Sequence, residues 1–215
     1  MFNSGKYTEI QSFLRKRHSN TKIIAISKNQ PKEAIEQAIK HGLTIFGENK
    51  VLEAKLKFTN IKNENQDIEL HLTGPLQSNK VKTAIELFDV FHTLDREKIA
   101  NEFSKFPNLT KRKKFFIQVN TGKEVTKSGV YPNEAKDFIQ YCRYDKNLEI
   151  EGLMCIPPIE EKADYHFEML HNLAKENEIK SLSIGMSSDY EHALKYNPTY
   201  IRLGTILFGS RKWKT

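Results

Sequence analysis

The 215-residue sequence predicts an α/β fold, a single (β/α)₈ barrel of the TIM type that spans residues 1–215. Two observations support this prediction. Apolar runs of strand length recur along the whole chain, and each is followed by a segment whose apolar residues have helical spacing. About eight such pairs occur, a little under 30 residues apart, as βα units require. This alternation, without an obvious linker, favours a closed barrel over an open doubly wound sheet.

We predict eight strands, at Lys22–Ser27, Leu43–Gly47, Glu69–Thr73, Val90–Leu94, Phe115–Asn120, Ile150–Ile156, Ser181–Gly185 and Tyr200–Phe208. The helix after the first strand has the clearest boundary signals, with Pro31 in its first turn and the pair His41-Gly42 at its end. Another helix is predicted from Pro132 to Tyr141. No short internal repeat competes with this organisation.

The composition is that of a globular protein, with 38% hydrophobic and 28% charged residues. No run approaches the roughly 18 apolar residues that a membrane span needs. The first six residues lack the apolar core of a signal peptide, and two cysteines, Cys142 and Cys155, fit a reducing compartment. We therefore expect a cytoplasmic protein that does not bind membranes.

The net charge of +7 raises the question of nucleic-acid binding. The densest basic cluster is the segment 111–114, between a turn and a strand, and no aromatic residue interleaves with it. This arrangement favours a solvated loop over a nucleic-acid site. A nucleic-acid or protein adaptor remains as a hypothesis that depends on charge alone.

Lys28 follows the first predicted strand directly, and in a barrel the functional groups lie just past the C-terminal ends of the strands. An amine against an apolar floor loses its charge readily, and a neutral amine can condense with an aldehyde. Lys28 is therefore a candidate Schiff-base residue. The alternative is a solvated lysine, since the chain has 34 Lys and Arg residues in total.

Two further polar residues stand in or after the second and third strands. Asn49, in the segment Phe46-Gly47-Glu48-Asn49, could hydrogen-bond a ring substituent or cap the next helix. His71 alternates with apolar neighbours, which favours a hydrogen-bonded core residue over a catalytic base. No second ligand set accompanies it, so we predict no metal site.

The loops after strands seven and eight predict a phosphate site. Ser188 and Glu191 have capping-box spacing, so we expect a helix to begin there. The N–H groups of that helix, its dipole and the Ser187 hydroxyl would bind an anion. Strand eight brings Gly204, which permits close backbone approach, and Thr205, which offers a second hydroxyl. Barrels bind phosphate at these two loops, so an aldehyde-bearing phosphate becomes the natural ligand of the candidate lysine.

Arg202, in the last strand, could face the ring nitrogen of such a ligand. A permanent positive charge without an acceptor would keep that nitrogen unprotonated, which disfavours transamination chemistry. The alternative is a salt bridge between Arg202 and a carboxylate such as that of Asp189.

Several sequence blocks in order carry a resemblance to a known family: Ala25-Ile26-Ser27-Lys28, Phe46-Gly47-Glu48-Asn49, Gly74-Pro75-Leu76-Gln77-Ser78-Asn79-Lys80, Ile117-Gln118-Val119-Asn120, Lys127-Ser128-Gly129, Glu151-Gly152-Leu153-Met154, Ser183-Ile184-Gly185-Met186-Ser187 and Arg202-Leu203-Gly204-Thr205. From about Ile23 to Arg211 the chain resembles the YggS/PROSC family of pyridoxal phosphate homeostasis proteins, which are similar to the N-terminal domain of alanine racemase.

The resemblance implies pyridoxal 5'-phosphate (PLP) as the cofactor and a single barrel as the fold. It implies six cofactor-binding residues: Lys28 as the internal aldimine, Asn49 near the ring, Arg202 at the ring nitrogen, and Ser187, Gly204 and Thr205 around the phosphate. Lys127 is a candidate for a second, surface attachment point. Two departures stand out: the segment before the first strand is short, so we expect a shortened first helix, and Met154 is followed by Cys155-Ile156-Pro157-Pro158, where the family usually continues with Thr and Gly.

For function, the resemblance implies binding, buffering or delivery of PLP in intracellular vitamin B6 homeostasis, with PLP-dependent apoenzymes as candidate partners and no assigned catalytic reaction. The alternative is a weak PLP-dependent amino-acid racemase or lyase. Alanine racemases, however, take a second acid/base from a separate C-terminal domain, and this sequence ends at Thr215. We therefore expect a monomeric PLP-binding protein without two-base racemase activity.

Overall fold

The computed structural model describes residues 1–209, so Arg211, Trp213 and Thr215 lie outside the described residues. Eight strands form a closed barrel in the order β1 to β8, and each is parallel to both of its neighbours. The strands are β1 (Lys22–Ile26), β2 (Ile45–Glu48), β3 (Glu69–Leu72), β4 (Val90–Leu94), β5 (Lys114–Gln118), β6 (Ile150–Met154), β7 (Ser181–Met186) and β8 (Tyr200–Leu203). The prediction of a (β/α)₈ barrel is confirmed.

Helices connect the strands on the outside of the barrel. They are α1 (Ser4–Arg17), α2 (Lys32–Lys40), α3 (Val51–Glu64), α4 (Val81–Leu87), α5 (Glu97–Ser104), α6 (Pro107–Thr110), α7 (Ala135–Gln140), α8 (Ala163–Glu176), α9 (Tyr190–Ala193) and α10 (Thr205–Phe208). Short 3₁₀ turns cover Ser78–Lys80 and Leu194–Tyr196, and a π-helical turn covers Tyr141–Asp145. The longest of these helices have 14 residues, and none in the described part of the chain is long and apolar enough to cross a membrane.

The predicted strands run too far at several C-terminal ends. β8 ends at Leu203, and the segment predicted to complete it forms α10 instead. The apolar run in that segment is buried because α10 packs against the N-terminal segment, where the rings of Phe2 and Phe208 lie 5.7 Å apart. Short apolar runs do not by themselves distinguish a strand from a buried helix. β6 ends at Met154, before Pro157 and Pro158, which cannot donate ladder hydrogen bonds.

The first helix has 14 residues, as many as α3 and α8, and the expectation that it is shortened relative to the family stays a prediction. Asn3 caps α1 by accepting a hydrogen bond from the Lys6 N–H (3.0 Å). Tyr7, Ile10 and Leu14 of α1 are buried in the core that the helices share with the outer face of the barrel. These buried apolar side chains therefore pack α1 against the outside of the barrel.

The barrel interior is filled by side chains that alternate along the strands with those facing the helices. Ile24, Phe116 and Met154 are apolar and wholly buried there. His71 is also wholly buried and is hydrogen-bonded, as predicted for a core histidine. Parallel strands in a closed barrel bring their C-terminal ends together, and this end carries the predicted functional residues.

Candidate functional site

A cavity of about 270 Å³ lies at the C-terminal end of the barrel. It approaches the lower end of the range of about 300 to 1,000 Å³ that is typical of small-molecule sites. The residues that line it include all six predicted binding residues: Lys28, Asn49, Ser187, Arg202, Gly204 and Thr205. Its other lining residues are Ile26, Thr73, Ile156, Met186 and Ser188. The fold thus brings residues from the ends of β1, β2, β7 and β8 to one small volume.

Lys28 lies in a tight turn directly after β1, and its side chain is partly buried at the cavity. The Gln30 N–H donates to the Ser27 carbonyl across the turn (3.0 Å). Asn29 has a left-handed conformation (φ 58°), which Asn tolerates better than most residues. Its N–H donates to Glu53 Oε1 of α3 (2.6 Å), so the turn that presents Lys28 is fixed from the neighbouring helix.

An ion-pair network between β2 and α3 supports the turn that carries Lys28. Lys57 of α3 donates to the carbonyl of Ser27 (2.8 Å) and to Glu53 Oε1 (2.9 Å), and it pairs with Glu48 Oε1 (2.5 Å). Ser27 Oγ donates to the same oxygen of Glu48 (2.6 Å). Glu48 is wholly buried, and burial raises the pKa of its carboxyl while the nearby Lys57 ammonium opposes that rise. The sequence analysis did not identify Lys57, although its i,i+4 spacing from Glu53 is a recognisable helical ion-pair signal.

Arg202 is held at the base of the cavity by neutral acceptors. Its guanidinium donates to the Ser183 carbonyl (2.6 Å), to Ser183 Oγ (2.9 Å) and to the Cys155 carbonyl (2.8 Å). Burial lowers the pKa of this guanidinium, but arginine stays protonated in proteins. Among residues 1–209 no ion pair involves Arg202, so the alternative of a salt bridge with Asp189 is wrong. Its positive charge faces the cavity without a carboxylate partner.

The Ser187 hydroxyl joins the two loops of the predicted phosphate site. Its Oγ accepts hydrogen bonds from the backbone N–H groups of Gly204 (3.2 Å) and Ile206 (3.4 Å). These bonds fix the Ser187 hydroxyl between the end of β7 and the segment that follows β8. Thr205, exposed at the edge of the cavity, provides the second hydroxyl of the site.

The predicted capping box after β7 does not form. α9 begins only at Tyr190, and Asp189 occupies the N-cap position. The Asp189 carboxylate accepts from the Met186 N–H (2.5 Å), and Glu191 accepts from the Tyr190 hydroxyl (3.1 Å) instead of reaching back to Ser188. α9 has only four residues, so a helix dipole contributes little here. The anion site therefore depends on Ser187 and on the backbone at the end of β8.

Gly204 is not required by the packing of the protein itself. A Cβ built at this position would meet nothing closer than Ile26 Cβ, at 3.5 Å, which is an ordinary van der Waals contact. The backbone angle φ of −114° is open to any residue. Gly204 lines the cavity, so the space that a Cβ would fill is space for a ligand. This fits a bulky anion that approaches the backbone closely.

Asn49 is held on the cavity wall by the end of β3. Its Oδ1 accepts from Thr73 Oγ1 (3.0 Å), and a Cβ at Gly74 would come within 2.4 Å of the Asn49 carbonyl oxygen. Lys50 is the N-cap of α3, which has no side-chain cap. The alternative in which Asn49 caps the next helix is therefore wrong.

A second cavity of about 230 Å³ adjoins the first and shares Asn49, Thr73 and Ile156 with it. Lys127 lines this second cavity and forms an ion pair with Glu124 (2.8 Å). Lys127 thus lines a different cavity from Lys28, while Asn49 lines both.

Comparison with known protein families gives one match that covers nearly the whole chain. The family of the alanine racemase N-terminal domain matches residues 7–212. The chain is 38% identical over 206 residues to a pyridoxal phosphate homeostasis protein of Pasteurella multocida, covering 91% of this chain and 88% of the relative. It is 37% identical over 203 residues to the protein of the same name from Aquifex aeolicus, covering 89% and 88%.

Solved structures agree with the family match. PipY of Synechococcus elongatus is 31% identical to this chain, and its structures with and without bound PLP superpose with TM-scores of 0.83 and 0.87. Each comparison covers 96% of this chain and 99% of PipY. Alanine racemase of Clostridium difficile, 12% identical with a TM-score of 0.74, shares the fold over 97% of this chain and 57% of the racemase.

Proposed function

Because the chain belongs to the family of pyridoxal phosphate homeostasis proteins, we propose that it binds PLP and keeps the cofactor available in the cytoplasm. One observation carries this proposal: a lysine, a buried arginine and a hydroxyl-lined backbone site share a single cavity of about 270 Å³. These three groups match the aldehyde, the ring nitrogen and the phosphate of one small molecule. The PLP-bound structure of PipY, a relative of nearly equal length, supports the same ligand.

Each group of the cavity has a distinct task in this proposal. Lys28 supplies the amine for covalent attachment, and the buried guanidinium of Arg202 donates a hydrogen bond to the ring nitrogen. Ser187, the Gly204 backbone and Thr205 bind the phosphate, and Asn49 contacts the ring. PLP itself supplies an aldehyde carbon that reacts with primary amines.

The cavity favours binding over racemisation. Racemisation of an amino acid needs an acid/base on each face of the substrate. Among the described residues that line the cavity, Lys28 and Arg202 are the only ones with ionisable side chains. Arg202 is hydrogen-bonded to three acceptors and does not release protons, so a second base is absent from that set. We therefore place weak racemase or lyase activity second to cofactor binding.

The attachment site is tested by incubating the purified protein with PLP, reducing it with borohydride and locating the modified lysine by peptide mass spectrometry. We expect one dominant adduct, on Lys28, in the wild type and a large loss of total labelling in the K28A variant, which should fold normally. Lys50→Ala, which removes an exposed lysine at the start of α3, is the matched control and should retain the adduct. Scattered adducts or unchanged total labelling in K28A would overturn the proposal.

We further propose that the chain is a monomer that passes PLP to PLP-dependent apoenzymes. The opening of the cavity at the barrel end supports a site that another protein can approach. Light scattering during size-exclusion chromatography measures the oligomeric state, and activation of a purified apoenzyme by the PLP-loaded protein measures transfer. An adduct on Lys127 in the labelling experiment would show a second attachment point.

A further inference from the structure

Two histidines are stacked inside the barrel, in a core that is otherwise mainly apolar. His71 of β3 and His92 of β4 are both wholly buried, with ring centroids 5.0 Å apart. His92 also stacks on Phe116 (4.5 Å), and both imidazoles pack against the Tyr200 ring in T-shaped geometry. Buried histidines at the centre of a barrel need a reason, because apolar residues would fill the same space without a desolvation cost.

The two imidazoles form a continuous hydrogen-bonded column with a carboxylate. His71 Nδ1 lies 2.8 Å from His92 Nε2, and His71 Nε2 lies 2.6 Å from Glu69 Oε1. The side chain of Glu69 is 36% exposed at the N-terminal end of the barrel. The column therefore begins at solvent, on the side opposite the candidate cofactor cavity.

The other end of the column lies next to a strand residue that lines that cavity. Leu72 of β3 pairs with Phe91 of β4, which brings the next residues, Thr73 and His92, alongside each other. Thr73 lines the cavity, and the charge of Arg202, which also lines it, acts on His92. His92 thus lies buried beside a residue of the cavity wall, although it does not line the cavity itself.

The direction of the protons in the column follows from its chemistry. An ionised carboxylate only accepts hydrogen bonds, so His71 donates through Nε2 to Glu69. A neutral His71 then accepts at Nδ1, and His92 must donate through Nε2. His92 Nδ1 is left as a bare acceptor, and it is one of the buried atoms in residues 1–209 that have no hydrogen-bond partner. Burial favours the neutral form of both histidines.

We propose that Glu69, His71 and His92 form a proton relay between the floor of the cofactor cavity and solvent at the N-terminal end of the barrel. A proton bound by His92 Nδ1 releases the Nε2 proton of His92 to His71 Nδ1. His71 then passes its own Nε2 proton to Glu69, which gives it to water. One proton thus enters the column at His92 and one leaves it at Glu69. Each imidazole is left in its other tautomer and must return to the first tautomer before the next transfer.

The use of the relay depends on the proposed function. A protonated ring nitrogen cannot accept a hydrogen bond from Arg202, so a ligand that arrives in that form must lose a proton on a buried floor. His92 is the nearby base that can receive it. The other charged or titratable groups around the column are Lys22, Asp89, Lys114, Glu151 and Tyr200.

The tautomers test the relay without any cofactor. In the full-length protein with ¹⁵N-labelled histidine, NMR should show His71 and His92 protonated at Nε2 and bare at Nδ1 at neutral pH. A proton on His92 Nδ1 in the neutral protein would overturn the proposal. This result does not depend on PLP binding, so it stands even if the proposed function fails.

The rate of PLP binding, followed by stopped-flow absorbance in H₂O and D₂O, tests the role of the relay. His92→Phe keeps the ring stacking but removes the base. We expect it to reach the same final occupancy roughly 10- to 100-fold more slowly and to lose the solvent isotope effect. Met154→Leu, which alters the same core and keeps every hydrogen bond of the three relay residues, should behave as the wild type. A wild-type rate and isotope effect in H92F would overturn the relay, whereas absence of PLP binding by every protein would overturn the proposed function instead.

Discussion

Lys57 donates a hydrogen bond to the carbonyl oxygen of Ser27, the residue that precedes Lys28, over 2.8 Å. The same ammonium pairs with Glu48, a carboxylate with no exposed surface. The residue proposed to bind the cofactor is thus presented by a turn whose position depends on a buried ion pair outside the cavity. Rigid support of this kind keeps a reactive side chain in one geometry.

Replacing Lys57 with Met should therefore reduce both stability and cofactor attachment. The variant leaves the buried Glu48 carboxylate without its cation, which costs about 3 kcal/mol in a pair of this kind. Urea unfolding measures the loss, and the rate of adduct formation on Lys28 measures the effect on the turn. Lys55→Met, an exposed change on the same helix, is the control and should alter neither quantity.

The double variant Glu48→Gln/Lys57→Met separates charge from geometry. Removing both charges should recover part of the lost stability, because no ion remains buried without a partner. Attachment should stay slow, since the hydrogen bond from Lys57 to Ser27 is still missing. Full recovery of the attachment rate in the double variant would show that the turn does not need this bond.

Gly204→Ala should leave the stability of the protein unchanged or raise it, and it should weaken PLP binding. The protein has room for the methyl group and φ is negative, so the free energy of unfolding should stay the same or rise by up to about 1 kcal/mol. PLP affinity, measured by equilibrium titration, should fall because the methyl group occupies the approach of the phosphate. Gly5→Ala in α1 is the control for a general glycine effect. Unchanged affinity in G204A would place the phosphate elsewhere.

The Thr205 hydroxyl should contribute one hydrogen bond to the phosphate. Thr205→Val keeps the shape of the side chain and removes the hydroxyl, so we expect PLP affinity to fall about fivefold or more, the effect of one lost hydrogen bond. Thr205→Ser keeps the hydroxyl and should bind PLP nearly as the wild type does. Weaker PLP binding by Thr205→Ser together with wild-type binding by Thr205→Val would show that the methyl group, not the hydroxyl, matters.

The sequence was sufficient for the barrel because the alternation of apolar strands and amphipathic helices is a local pattern repeated eight times. The sequence did not predict where several strands and helices begin or end, because tertiary contacts determine these boundaries. The segment Thr205–Phe208 reads as a continuation of β8, yet it folds as α10 because its apolar side chains pack against the N-terminal segment. Likewise the spacing of Ser188 and Glu191 suits a capping box, but Asp189 takes the N-cap position.

The residues of the candidate site also divide into those that the sequence identifies and those that it does not. Lys28 could be identified because it directly follows a predicted strand, and Arg202 and Gly204 because they lie in the last predicted strand, near the end where barrels carry functional groups. Lys57 and His92 could not, because their importance comes from partners that are distant in sequence. The i,i+4 pair of Lys57 with Glu53 is visible in the sequence, but its contact with Glu48 depends on how α3 packs.

Stability should depend on pH through the two core histidines. Burial lowers the pKa of His71 and His92 below the ordinary value of 6.5, so the unfolded chain binds more protons than the folded protein as pH falls through that value. Their stabilisation is therefore fully present above about pH 6.5 and declines below it, by up to about 1.4 kcal/mol per pH unit for each histidine. Urea unfolding between about pH 5 and 7 measures the slope. His92→Phe should lower it by up to one proton and Met154→Leu, in the same core, should not, whereas equal slopes in all three proteins would mean that His92 is protonated in the folded barrel.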